Sequence, residues 1–272
     1  MKAATTALAM TLNEVEEVST GRKKEFNFFT EKKNPTSLER YHENFDPECR
    51  IWGEVAPNYG KRQSFDGVAQ RIHNYNSEAK ILFIRRDPIA RALSELKMYY
   101  EEGEITHQSK IHWFKNRRSW LWKSQNQSSF HFYSFGDFDS NPIVQNSRFD
   151  FQLQPYRKLF PNPLMILDFE ELTGHDSSTS LAKIQEFIEV IAPQDMKLKK
   201  VHLSKNRVIP SQAALFLAEK SKYLNYRHLI YAMPFLRKMF LNLGFLRVQK
   251  NTWFSPSLEA DLQRFFNKDE NQ

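Results

Sequence analysis

A chain of 272 residues with 40% apolar and 26% charged residues, and only 8 Gly and 12 Pro, is long enough to bury a sizeable core; it is neither disordered nor fibrous. Its one cysteine, Cys49, excludes an intrachain disulfide and any all-cysteine metal site. A net charge of +7 points to an anionic partner such as a phosphate, a sulfate, a nucleic acid or an acidic glycan.

No internal repeat or low-complexity linker divides the sequence, so one domain over 1–272 is expected. Residues 5–18 read as a helix, with Leu8, Leu12 and Val15 recurring at i, i+4 and i+7. Residues 80–84 form a short apolar run that suits a buried strand. Asp87-Pro88 then marks a helix start, a capping carboxylate followed by proline at the first helical position. The helix that follows places Ile89, Leu93, Leu96 and Tyr100 on one face. Residues 101–140 are polar but rich in aromatics, among them Trp113, Trp120, Trp122, Phe130 and Phe138, and read as an insertion or lid. Residues 164–167 read as a second buried strand and 181–191 as another helix. Residues from about 210 to 272 read as a helical C-terminal part, with its final helix over 256–266. Strands alternating with helices predict an α/β protein whose parallel sheet is flanked by helices. Apolar runs such as 229–236 are far shorter than the ~18 residues that span a bilayer, and no signal peptide is visible. The expectation is a cytoplasmic protein with no membrane span.

Three constellations carry chemistry. Lys2, Ala3, Ala4, Thr5, Thr6 and Ala7 stand immediately before or within an amphipathic helix. Backbone N–H groups and the dipole of a helix start favour an anion, and small side chains let it approach closely. This is not a Walker motif, because the glycines and the Gly-Lys-Ser/Thr order are missing, and an ordinary helix with a threonine cap reads equally from the same residues. In Lys24-Glu25-Phe26-Asn27-Phe28-Phe29, a carboxylate beside a lysine and an apolar run suits a general base in a partly desolvated cleft; it also suits a solvated edge charge. Arg86 falls at the carboxyl end of a strand, where open α/β sheets bind ligands. Arg91 and Ser94 follow on the next helix, close enough for Arg86 and Ser94 to converge on one phosphate.

In this order, the pieces resemble the sulfotransferases that use 3′-phosphoadenosine 5′-phosphosulfate (PAPS), in particular the heparan-sulfate-type carbohydrate branch and its bacterial relatives. The family's phosphosulfate loop is similar to residues 2–8, and its Lys-Glu-x-x-Phe-Phe element to residues 24–29. A Gly-Glu-Lys-x-Pro-x-Tyr element resembles residues 53–59, and the element that holds the 3′-phosphate resembles residues 86–94. Later landmarks resemble Ser147-Arg148-Phe149, Leu159-Phe160-Pro161 and residues 167–172. The likeness runs over residues 1–190 or so and departs at Asn27, where many members have histidine, and at Val55, where they have lysine. It implies a P-loop-like parallel sheet. Family members carry a strand ahead of the loop with which this sequence starts, so the sheet is expected to lack its first strand.

The resemblance implies sulfuryl transfer from PAPS to a hydroxyl or amine, with Glu25 as general base and Lys2 as the charge stabiliser. PAPS would be held by Lys2, Ala3, Ala4, Thr5, Thr6 and Ala7 at one end and by Arg86 and Ser94 at the 3′-phosphate, with Lys205 and Arg207 closing over it. No metal is expected. The acceptor is expected to be a glycan or a small molecule, met by the aromatic segment with His107, His112, His131, Arg117 and Arg118; no nucleic acid is expected. A kinase-like phosphotransferase needing ATP and magnesium, or a basic RNA- or glycan-binding protein without catalysis, stands as the competing reading.

Overall fold

The computed structural model describes residues 4–30, 37–101, 120–123, 129–134, 138–139, 141–175, 177–191, 193, 196–199, 208–210, 246–248, 251–254 and 256–269. They fall into two compact units, Met1–Arg91 with Val144–His202, and Ala92–Ile143 with Leu203–Gln272.

In the first unit, helix α1 (Thr5–Leu12) stops earlier than the expected end at residue 18. Leu8, Leu12 and Val15 are all buried as their spacing requires, but Val15 reaches the core through a turn in which its N–H bonds Leu12 O. Asn13 ends the helix, and its Oδ1 accepts the Thr20 N–H just beyond strand β1 (Val18–Ser19). A short helix α2 (Leu38–His42) is capped by the Ser37 hydroxyl and leads to strand β2 (Ile51–Trp52), which pairs parallel with β1. Helix α3 (Val68–Tyr75) precedes strand β3 (Ile81–Arg85). Asp87 Oδ1 accepts the Ala90 N–H at 2.6 Å and so starts helix α4 (Pro88–Glu101), as the Asp-Pro signal predicts; from Ala92 on, α4 belongs to the second unit. After helix α5 (Pro142–Gln145), helix α6 (Phe149–Leu159) leads into strand β6 (Leu164–Asp168), and α7 (Phe169–Thr173) and α8 (Ser177–Ile188) follow.

Strands β3 and β6 pair parallel, from Ile81 opposite Leu164 to Arg85 opposite Asp168. The mixed α/β character with parallel strands is therefore present. Helix α8 begins earlier and ends earlier than the expected 181–191, and Ile191 is 93% exposed. Two clusters form the core of this unit. One joins Leu8 and Leu12 of α1 to Leu167, Leu172, Leu181 and Ile184. The other gathers Phe29, Tyr41, Phe45, Ile72, Tyr156 and Phe160 around the segment that carries Glu25. Each fully buried leucine or phenylalanine contributes roughly 1.5–3 kcal/mol through removal from water, so these clusters set the rigidity of what stands on them.

In the second unit, strands β4 (Trp120–Lys123) and β5 (Ser129–Ser134) pair antiparallel within the segment expected to be an insertion or lid. Two further strands, β7 (Val208–Pro210) and β8 (Leu246–Val248), pair antiparallel, and β9 (Asn251–Phe254) joins β5 in parallel. The C-terminal part thus contains strands as well as helix. Helix α9 (Pro256–Asp269) covers the expected 256–266 and buries Leu258, Leu262 and Phe266 at i, i+4 and i+8. Among the described residues, no helix is long and apolar enough to cross a membrane.

Candidate active site

Helix α1 opens on Ala4 in a left-handed conformation, φ 55°, and no side chain caps it. The first intrahelical bond is Leu8 N–H to Ala4 O, so the N–H groups of Thr5, Thr6 and Ala7 have no acceptor within the helix. Small side chains and the dipole of such a start suit an anion. The threonines do not act as caps: the N-cap position is Ala4. A left-handed alanine costs about 1 kcal/mol that glycine does not incur. Ala4→Gly is therefore expected to raise stability by about 1 kcal/mol in chemical denaturation, and a loss of stability would contradict the assigned backbone.

At the carboxyl ends of β3 and β6, the cross-strand partners Arg85 and Asp168 form a two-point ion pair, and Asp168 raises the Arg85 pKa above its ordinary value. Arg86 is the next residue and lies on different partners. Its guanidinium sits 4.5 Å from the ring centre of Phe169, the first residue of α7, and burial holds its pKa below the usual arginine value. A half-buried cation at a sheet's carboxyl end suits an anionic ligand. Arg91, one turn before Ser94 on α4, is 3% exposed, and its Nη1 donates to Ser147 Oγ at 2.8 Å. That pair joins the start of α4 to the loop before α6, a tertiary role that sequence reasoning missed. Ser94 lies further along α4, in the second unit.

The Glu25 segment is a strained turn. Glu25 has φ 58° and Asn27 φ 61°, both left-handed and neither glycine. Lys24 Nζ pairs with Glu25 Oε1, and the two side chains are 33% and 35% exposed, so the carboxylate is reachable from solvent. Asn27 Nδ2 donates to Glu25 O at 2.7 Å, while Asn27 Oδ1 is buried without a hydrogen-bond partner among the described residues. Asn27 N–H donates to Glu54 Oε1 at 2.6 Å, and the Tyr59 hydroxyl donates to Glu54 Oε2. Burial pushes the Glu54 pKa up, against hydrogen bonds that pull it down. Burial and the neighbouring Glu54 push the Tyr59 hydroxyl far above the usual tyrosine range. Glu54 falls within the 53–59 element, and nothing local in the sequence signals that it reaches back 27 residues.

A cavity of about 400 Å³ borders Tyr59, with Arg62, Lys158, Gln154 and the start of α3 among its walls. Pro155 lies inside α6 and has no N–H for Phe151 O, the carbonyl four residues back. Arg62 Nη1 supplies the missing donor at 3.2 Å, bonds Gln154 Oε1 at 2.8 Å, and stacks on the Phe151 ring at 4.5 Å. The break in the helix thus fixes a cation at the cavity wall.

Lys2, Ala3, Lys205 and Arg207 lie outside the described residues, as do His107, His112, Arg117 and Arg118; of His131 only the backbone, within β5, is described.

No known family matches the chain, and no curated protein does. A solved structure does: the crystal structure of a sulfotransferase from Alicyclobacillus acidocaldarius superposes with a TM-score of 0.55 at 16% identity, covering 87% of this chain and 95% of that one. At this identity the likeness concerns the fold, and the chain has a sulfotransferase-like α/β fold.

Proposed function

We propose that this protein transfers a sulfuryl group from PAPS to a hydroxyl or amine of an acceptor, foremost an acidic glycan. The observation that carries the reading is the uncapped start of α1 at Ala4–Thr6, in the segment that resembles the phosphosulfate loop, within a sulfotransferase-like fold. The residues fit the donor nucleotide. The open N–H groups of Thr5, Thr6 and Ala7 suit the 5′-phosphosulfate, together with Lys2 and Ala3. The half-buried guanidinium of Arg86 suits a 3′-phosphate.

PAPS, once bound, supplies sulfur activated by a phosphate leaving group. Glu25 accepts the proton of the acceptor hydroxyl or amine, and Lys24 holds the Glu25 carboxylate in place. The N–H groups at the α1 start and Lys2 stabilise negative charge growing on the departing phosphate oxygen. Most of the rate gain then comes from positioning and charge, as in phosphoryl transfer. Arg62 and Lys158 give the nearby cavity the charge to meet an acidic sugar.

Thermal stabilisation by PAP, the desulfated product, against ATP tests the reading. PAP is expected to stabilise the protein and ATP to do so far less, because ATP lacks the 3′-phosphate. Arg86→Ala is expected to weaken PAP binding about 10- to 100-fold, the worth of a charged hydrogen bond. Equal stabilisation by ATP with magnesium would favour a kinase-like enzyme, and no response to either nucleotide would favour a glycan- or RNA-binding protein.

A further inference from the structure

The turn that carries Glu25 has an unusual support. Its backbone is left-handed at two non-glycine residues, each of which costs about 1 kcal/mol, so surrounding contacts must hold it. Those contacts divide by sign. The Glu54 carboxylate takes the N–H side: it accepts from Asn27 N–H at 2.6 Å and from the Tyr59 hydroxyl, which in turn accepts the Phe29 N–H at 3.0 Å. The Phe28 N–H and the Tyr41 hydroxyl also pull the Glu54 pKa down, against the effect of burial. Arg71 takes the carbonyl side, with Nε bonding Phe29 O at 2.7 Å and Nη2 bonding Thr30 O at 3.3 Å. Tyr59 and Tyr41 are fixed in the aromatic cluster beneath, where Phe29 lies 5.5 Å from Tyr41 and 5.9 Å from Tyr59 between ring centres.

A carboxylate is costly to bury, and apolar packing alone would not need one here. Its oxygens accept several donors at once, which is what a turn presenting consecutive N–H groups requires. We infer that Glu54 is a positioning residue that holds the strained Glu25–Asn27 turn and thereby aims the Glu25 carboxylate. This rests on the sulfuryl-transfer reading for the role of Glu25, while the anchoring itself is independent of it.

Hydrogen exchange and kinetics test the two parts separately. In Glu54→Ala, amides of residues 26–30 are expected to exchange about tenfold faster or more, with α8 unchanged, and Glu54→Gln, which keeps an acceptor oxygen, to restore most of the protection. Unchanged exchange at 26–30 would overturn the anchor. If Glu54→Ala unfolds, which fast exchange in α8 reports, Glu54→Asp carries the same test, because its shorter side chain draws the carboxylate back from Asn27. For the aiming, turnover of radiolabelled PAPS with desulfated heparan as acceptor is compared in Glu54→Ala, Glu25→Gln and the double variant. Glu54→Ala is expected to lower kcat without weakening PAP binding, and to add nothing to Glu25→Gln. Multiplying effects would overturn action through Glu25. A wild-type protein that neither binds PAP nor consumes PAPS would overturn the functional reading instead, and the exchange result would still decide the anchor.

Discussion

Glu25→Gln is expected to slow sulfuryl transfer by about 100-fold or more, the usual worth of a positioned general base, with affinity for PAP unchanged. The two side chains have nearly the same shape, so the Asn27 Nδ2 bond to Glu25 O, a backbone contact, survives the change. What is lost is the proton acceptor and the ion pair with Lys24, both exposed enough to meet an acceptor molecule. Single-turnover rates with labelled PAPS, set beside PAP affinity from calorimetry, check this. Full activity in the variant would make Glu25 a structural charge and move the base elsewhere.

The second large effect is on stability. Phe160→Ala is expected to cost about 3–5 kcal/mol, because its ring is fully buried and the cavity left behind cannot fill. The ring packs 5.5 Å from His73 of α3 and 6.4 Å from Tyr156 of α6, between centres. It therefore ties α3 to α6 in the cluster that also supports Phe29 and Tyr59. Loss of nucleotide-independent stability in urea, with little change for Ile191→Ala at the exposed end of the unit, is the expected pattern. A cost below about 1 kcal/mol for Phe160→Ala would contradict the packing described.

The sequence was most legible where a signal was local and strong. The apolar run at 80–84 forms a strand shifted by one residue, and Asp87-Pro88 starts a helix by the bond its chemistry predicts. The run at 164–167 pairs with it over five residues. The helix from residue 5 was overextended because Val15 keeps helical spacing while reaching the core from a turn, a distinction periodicity does not make. Strands of two residues, such as β1 and β2, carry too little pattern to be read at all.

The candidate residues Ala4–Thr6, Glu25 and Arg86 stand out in the sequence because each sits in a short motif. Their environment was not. Glu54 bonding Asn27, Arg91 bonding Ser147 and Arg62 bonding Phe151 O each join residues 27 to 89 positions apart. Such pairings follow from tertiary packing, and no local spacing announces them. Arg91 shows the consequence. Helical spacing sets it one turn before Ser94, but no spacing announces that the fold buries its Nη1 on a serine from another segment.

A crystal structure of the protein with PAP tests the central claim most directly. The nucleotide's 5′-phosphate is expected on the N–H groups of Thr5, Thr6 and Ala7, and its 3′-phosphate against the guanidinium of Arg86. PAP bound with its phosphates away from both places, or no PAP at saturating concentration, would contradict the account.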